Sequence, residues 1–288
     1  MNVLLTGASG FIGRNLAAAL NHAGHQIRPA MRGNGFDFRR LLAPADWLPH
    51  LRGIDAVINC VGIIGENTGQ KFRPLHAEAP AALFHACVMV GIQRAIQISA
   101  LGADDTAFSA FHLSKRTADD CLRGLDLDWF VLRPSLIYGR GGGSAEQLLR
   151  LAAWPLLPVL DDGRQMLQPV HIGDVVATVM RCLTATNARQ TLDIIGPETF
   201  TFVDWLQRIR AAHGLGRAPV LRIPFRLTLA LTWLGQGFSP MLRTDNLRML
   251  KIGYRAKVEP LAEFLGRMPL AAESRLFFSD AIEPGSAT

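Results

Sequence analysis

Asn2-Val3-Leu4-Leu5-Thr6-Gly7-Ala8-Ser9-Gly10-Phe11-Ile12-Gly13-Arg14 opens the chain almost at its first residue and decides how the rest is read. Val3 to Thr6 is a short apolar run that ends in a glycine turn. From Phe11 to Ala23 the apolar residues Ile12, Leu16, Ala19 and Leu20 recur at helical spacing, so a strand passes through the turn directly into a helix. In that context the three glycines have separate tasks. Gly7 permits the tight turn, Gly10 lets the backbone come close to a pyrophosphate, and Gly13 lets the helix pack against the strand. The helix N-terminus then offers unpaired N–H groups and a partial positive charge to phosphate. The stretch therefore predicts a dinucleotide site, with a bare glycine turn as the alternative.

Outward from this unit, strands and helices alternate. Buried strands are expected at Ala56–Cys60, Arg94–Ser99, Trp129–Leu132 and Thr191–Ile195. Helices are expected at Pro80–Met89, Phe108–Leu125, Ala145–Ala153, Asp174–Leu183 and Phe202–Ala212. The alternation predicts an α/β, Rossmann-type doubly wound parallel sheet with helices on both faces. One place breaks it. The second strand, Gln26 to Met31, runs into Gly33-Asn34-Gly35-Phe36-Asp37-Phe38, which leaves no room for the crossover that a parallel neighbour needs. Pro29 within that strand prefers a sheet edge. The helix after strand two is thus expected to be missing and strand three to be short or absent. Gly141-Gly142-Gly143 marks a hinge-like loop. The expected organisation is a nucleotide-binding domain over 1–200, a small, mostly helical lobe over 201–280 and a disordered tail over 281–288.

The chain has 288 residues, of which 49% are hydrophobic and 19% charged, enough for a large domain with a small lobe. Cys60, Cys87, Cys121 and Cys182 are scattered without a Cys-x-x-Cys pair, which points to reduced thiols in a cytoplasmic protein and to no metal site. The first strand begins at once, so no signal peptide is expected. The apolar stretch Leu227–Leu234 is far shorter than the roughly 20 residues that span a bilayer. The net charge of +6 is uneven. Arg208, Arg210, Arg217, Arg222, Arg226, Arg243, Arg248, Lys251, Arg255, Lys257 and Arg267 crowd the C-terminal part, against only Asp245, Glu259 and Glu263. Such a lobe suits a phosphate-bearing substrate, an anionic membrane surface or an acidic partner, with a solvated surface as the alternative. Nothing resembling a nucleic-acid motif accompanies the charge.

Cofactor choice rests on the end of strand two, where an acid binds ribose hydroxyls in NAD sites and an arginine binds the 2′-phosphate in NADP sites. The strand ends Met31-Arg32-Gly33 with no acid before Asp37. Arg32, assisted by Arg14, therefore favours NADP(H), with NAD(H) still open.

Thr6 to Gly13, Asn59-Cys60-Val61-Gly62, Phe111-x-x-x-Lys115, Leu132-Arg133-Pro134-Ser135-Leu136-Ile137-Tyr138-Gly139 and Gln168 to Asp174 follow one another in the order seen in extended short-chain dehydrogenase/reductases. The chain resembles that superfamily over at least residues 1 to 200. Through Ile98-Ser99-Ala100-Leu101-Gly102 and Leu132–Ser135 it is most similar to the atypical branch that includes the nucleotide-binding accessory subunit of complex I. Carried onto matching positions, the resemblance implies cofactor contacts from Gly7, Ser9, Gly10, Phe11, Ile12, Gly13, Arg32, Asp37, Phe38, Cys60, Val61, Gly62, Ser99, Lys115, Pro134 and Ile137. It also implies a tyrosine four residues before Lys115, acting as the proton donor, and a serine two residues beyond Ser99. Here those positions hold Phe111 and Leu101. Phe111 has no ionisable group.

Substitutes for the missing acid are few. His112 is one helical step of about 100° from Phe111 and should point elsewhere. Tyr138 falls in a loop that the family places near the nicotinamide, so its hydroxyl is a candidate donor beside plain packing. His76 matches a position where relatives often carry Asn near the cofactor. Lys115 and Tyr138 are the catalytic candidates, and Asp174, after His171, reads most simply as a helix N-cap. Three functions remain. One is an NADP-dependent oxidoreductase acting on a quinone, a flavin or another acceptor that needs no tyrosine. Another is a non-catalytic NADP-binding redox sensor or assembly factor for a respiratory complex. The last is a sugar-nucleotide epimerase or dehydratase, which the missing tyrosine disfavours.

Overall fold

The computed structural model describes residues 1–228 and 244–281, except the side chains of 143–145. The chain divides into two compact units: residues 1–134 with 175–194, and residues 135–174 with 195–281. This is not a single cut near residue 200. After Pro134 the chain leaves the sheet of the first unit and comes back only for its last helix and strand.

In the first unit six strands lie in the order β10-β5-β4-β3-β1-β2, all pairing in parallel. They are β1 (Asn2–Thr6), β2 (Gln26–Ala30), β3 (Ala56–Asn59), β4 (Arg94–Ile98), β5 (Asp128–Pro134) and β10 (Gln190–Ile194). Every residue of β3 is buried, as expected for strands covered on both faces. The helices α1 (Phe11–His22), α3 (Ala79–Val90) and α4 (Ala110–Arg123) supply the crossovers, each within about two residues of its expected ends.

Strand two is the sheet edge, as its sequence requires. Pro29 pairs in register with Leu5, and at an edge its missing N–H leaves no ladder partner unsatisfied. Among the described residues no strand lies outside β2. In place of a crossover, the 31–41 segment folds as a strap and the four-residue α2 (Pro44–Trp47) follows it. Trp47 is fully buried. Its ring takes Phe38 edge-on at 5.1 Å and lies 6.4 Å from Phe36, while its Nε1 donates to the Leu41 carbonyl at 3.0 Å. A few aromatic side chains thus cover the sheet where a helix is absent.

The second unit holds β6 (Ile137–Tyr138), α5 (Gly143–Ala152), β7 (Leu157–Leu160), β8 (Met166–Leu167), β9 (Val170–His171), β11 (Phe200–Thr201), α7 (Phe202–Ala212) and β12 (Val220–Ile223). Its core includes Tyr138, Leu148, Phe202, Trp205 and Phe277. The helix expected from Asp174 starts earlier, as α6 (Ile172–Thr184). Asp174 therefore lies inside the first turn and is not the cap. The His171 ring takes the capping role, with Nδ1 accepting from Gly173 N–H at 3.1 Å. Asp174 is buried; it accepts from Leu270 N–H at 2.8 Å and pairs with Arg267 at 2.7 Å, fastening the 267–270 segment. Leu227–Leu234, Arg243 and the 281–288 tail lie partly or wholly outside the described residues. Among the described residues no helix is long and apolar enough to cross a membrane, and no cluster of three His, Cys, Asp or Glu could hold a metal ion.

Candidate cofactor site

The glycine turn does what its spacing implies. Gly7 has φ +67°, and a Cβ on it would stand 2.9 Å from the Cys60 carbonyl carbon, so it is glycine on both conformational and steric grounds. A Cβ on Gly13 would stand 2.1 Å from the Gly7 oxygen and 2.8 Å from the Ala8 Cα, which closes the helix onto the turn. Gly10 is the N-cap of α1, and no acid occupies the helix's first turn, leaving its positive end uncompensated.

A cleft opens at this turn. Of the residues proposed from sequence to contact a cofactor, Gly7, Ser9, Gly10, Arg32, Asp37, Phe38, Cys60, Val61 and Gly62 line it. Ala30, Met31, Phe36, Arg39, Ile63, Gly69, Gln70 and Leu75 also line it and were not foreseen. Arg39 had a legible signal, a cation two residues after Asp37; Gly69 and Gln70 had none. Phe11 and Ile12 form the first turn of α1, and Gly13 is buried behind it. Arg14 is exposed, its guanidinium 5.4 Å from the Phe11 ring centre.

Of the strap's three arginines, Arg32 and Arg39 line the cleft, and they differ. Arg39 grips Asp37 at 2.7 and 2.8 Å, and that pairing holds the Asp37 carboxyl down at about 2. Arg32 is exposed on the cleft wall and makes no ion pair with any described residue. The cleft thus keeps one uncompensated cation and one neutralised acid beside the end of β2. This donor set, with the glycine cradle, fits a dinucleotide that bears phosphate.

Beyond the cleft, Lys115 is buried on α4 and donates to the carbonyls of Val61 and Ile98, both at 2.9 Å. An ammonium has three donors, so one remains. A Cβ on Gly62 would come within 3.2 Å of Lys115 Nζ, and glycine there keeps the approach to the ammonium open. Burial lowers the pKa of Lys115, while Asp119, one turn along the same helix, raises it. Asp119 is fully buried and bonded to the Ser99 hydroxyl. Burial lifts its pKa, against the pull of Ser99 and Lys115. Gln97 is close enough to bear on that carboxyl, yet Gln97 Nε2 and Asp119 Oδ1 both lack a hydrogen-bond partner. On the other side of Gln97, Asn59 donates to Gln97 Oε1 at 2.7 Å and accepts from the Thr6 hydroxyl at 2.5 Å. A buried polar chain therefore links the ends of β1, β3 and β4 beneath the loop that carries Cys60 to Gly62.

His76 holds the same loop from above. It sits in a π-helical segment, Arg73–Glu78, that runs into α3; such turns are uncommon and often mark functional sites. His76 Nε2 accepts from Ile63 N–H at 2.9 Å. Nδ1 lies 3.0 Å from the Ser114 hydroxyl, which itself donates to the Phe111 carbonyl at 2.7 Å. The only consistent tautomer is neutral with the proton on Nδ1. Burial, then the nearby Lys115 charge, pushes its pKa down to about 2, so it is no acid at neutral pH. The His76 ring meets Phe111 edge-on at 5.7 Å.

His112 is buried against the Leu101 backbone and is pushed down to about 4 by burial. Leu101 is buried, its N–H donating to the Pro134 carbonyl at 2.9 Å. Burial pushes the Cys60 thiol up to about 12, which keeps it protonated at neutral pH. Pro134 ends β5 in the first unit; Ile137 and Tyr138 belong to the second. Tyr138 packs there against His171, Trp205 and Phe277, with ring centres 5.1–5.3 Å away. Its hydroxyl faces the Ala271 carbonyl at 3.5 Å, and burial drives its pKa well up.

Comparison with known proteins agrees with this geometry. Residues 3–195 match the model of the NAD dependent epimerase/dehydratase family. The chain is similar to the ceramide reductase of Caulobacter vibrioides, at 30% identity over 85% of this chain and 80% of that protein. It is also similar to the mouse mitochondrial NADH dehydrogenase [ubiquinone] 1 alpha subcomplex subunit 9, at 24% identity over 93% of this chain and 76% of that one. Among solved structures, UDP-glucuronic acid 4-epimerase from Bacillus cereus superposes with a TM-score of 0.72 at 15% identity, covering 97% of this chain and 98% of that one. At that identity it shows a shared fold.

Proposed function

The chain belongs to the NAD dependent epimerase/dehydratase family, and from that premise we propose that it binds NADP(H) in the cleft of the first unit and passes hydride to a lipid-soluble acceptor of the quinone type. The observation that carries this reading is Phe111. The nucleotide cradle is complete, and Lys115 stands ready beneath Gly62. The residue four before Lys115 brings a phenyl ring where the family's chemistry wants a phenol, and the neighbouring His76 is locked neutral. When bound, NADPH supplies a hydride equivalent. A ketone that accepts it needs a positioned acid, whereas a quinone gains an aromatic ring and takes its balancing proton from water. Two similar proteins, a ceramide reductase and a subunit of a ubiquinone-linked dehydrogenase, bear names that point to membrane-borne compounds. Arg32 supports NADP(H) over NAD(H), because Asp37 is already neutralised by Arg39. A cytoplasmic protein that works beside a membrane or a respiratory complex fits this reading.

A second reading has its own support. Both carbonyls that Lys115 holds belong to the protein itself, so the lysine has a structural reason to persist without catalysis. That favours a non-catalytic NADP-binding sensor or an assembly factor. NADPH oxidation by the purified protein, with a quinone panel and a long-chain ketone panel, separates the two. Turnover with quinones and weak ketone reduction is expected. Tight NADPH binding without turnover in either panel would refute the oxidoreductase reading in favour of the second.

A further inference from the structure

Two exposed loops of the second unit are tied side by side. Residues 153–156, between α5 and β7, carry Trp154, Pro155 and Leu156. Residues 213–219, between α7 and β12, carry Leu215, Arg217 and Pro219. The guanidinium of Arg210, itself buried, joins them: Nη1 donates to the carbonyls of Ala152 and Trp154, both at 2.6 Å, and Nε donates to the Gly216 carbonyl at 2.8 Å. Leu157 N–H completes the fastening on the Pro219 carbonyl at 2.9 Å, where β7 and β12 pair in parallel. The side chains that this scaffold presents are apolar and exposed: Trp154 at 57%, Leu221 at 46%, Leu156 at 40% and Leu215 at 39%. A tryptophan more than half in water, among three leucines, is not core packing.

Within the two loops the charge has one sign, and the nearest acids, Asp161 and Asp162, follow the far end of β7. Arg217 is exposed beside Leu215 in the second loop, and Arg222 is exposed on β12, on the face opposite Leu221. No Asp or Glu occurs between Asp204 and Asp245, nor between Glu146 and Asp161. Apolar side chains led by a tryptophan, on two loops that carry arginine and no acid, match the boundary between lipid headgroups and acyl chains. An acidic protein would answer the arginines but would leave Trp154 and the leucines without a reason. We propose that this two-loop surface docks the protein on an anionic phospholipid bilayer, with Trp154 and Leu215 inserting at headgroup level and Arg217 and Arg222 meeting lipid phosphates. The inference concerns where the protein sits. It is read without turnover, so it can fail while the hydride-transfer reading stands, and the reverse.

The test is sedimentation of the full chain with vesicles of phosphatidylglycerol and phosphatidylcholine mixed in equal parts, or of phosphatidylcholine alone. Binding to the mixed vesicles is expected, weakened by salt, with little binding to phosphatidylcholine. Each cation at such a surface is worth roughly fivefold in affinity, so the pair Arg217→Glu and Arg222→Glu should cost at least about 20-fold. Trp154→Ser with Leu215→Ser should reduce binding comparably, and unchanged NADPH affinity would report an intact fold. Phospholipids brominated near the headgroup should quench a tryptophan signal that Trp154→Phe removes. Equal binding of the wild type and both pairs of variants to mixed vesicles would overturn the proposal. So would a concentration-dependent dimer that Trp154→Ser abolishes, since the patch would then face a second copy.

Discussion

His76 gives the buried site a measurable dependence on acid. Its ring accepts Ile63 N–H at 2.9 Å only while Nε2 is unprotonated. Burial and the Lys115 charge hold its pKa at about 2, against 6.5 for an unhindered histidine. Between those values the unfolded chain binds a proton that the folded chain refuses, so stability falls as pH falls. The contribution is complete above pH 6.5 and declines steadily below it. At about 1.4 kcal/mol per pH unit per proton, integration from pH 7 to pH 5 gives a loss of about 2 kcal/mol from this residue alone. His76→Gln keeps an acceptor for Ile63 and does not titrate, so it should lose about 2 kcal/mol less than the wild type over the same interval. Urea unfolding of both proteins at pH 7 and pH 5, followed by circular dichroism, provides the comparison. NADPH affinity should not change through His76 over this interval, because the folded chain keeps the ring neutral and its bond to Ile63 intact. If both proteins lost the same stability, His76 would not be held neutral by its surroundings.

Other expected outcomes concern the cradle and its supports. Gly13→Ala should abolish NADPH binding while leaving most secondary structure, because its Cβ would meet backbone at 2.1 Å; fluorescence titration checks this. Arg32→Ala should cost roughly 10- to 100-fold in NADPH affinity and little for NADH, the scale of one charge-assisted hydrogen bond, and calorimetry with both nucleotides reads the difference. Trp47→Ala should destabilise the chain by about 3–5 kcal/mol, as for other buried large aromatics, because the aromatic strap would lose the ring it packs on; thermal unfolding measures it.

Much of this was legible in the sequence, for identifiable reasons. The glycine turn and the buried strands carry their signal locally, in backbone sterics and in runs of apolar residues. The missing crossover could be counted from the few residues between Arg32 and Asp37, and the edge position of β2 follows from it. Contacts made by chain segments distant in sequence were not legible. Asp174 reads as a cap because caps are the common use of an acid before a helix; its pairing with Arg267 and Leu270 is set 93 and 96 residues further along. Nor does any local pattern announce that His76 and Lys115 grip one loop from two sides, or that Gly69 and Gln70 join the cleft wall.

The measurement that bears most directly on a hydride site lacking its own acid is NADPH oxidation by the wild type and by Phe111→Tyr, each with ketones and with quinones. A positioned general acid contributes about 10²–10⁴-fold. Phe111→Tyr, alone or with Leu101→Ser, should therefore raise ketone reduction toward that range while quinone reduction stays as it was. Strong ketone reduction by the wild type, unchanged by the tyrosine, would show that another group delivers the proton and would contradict the role assigned to Phe111.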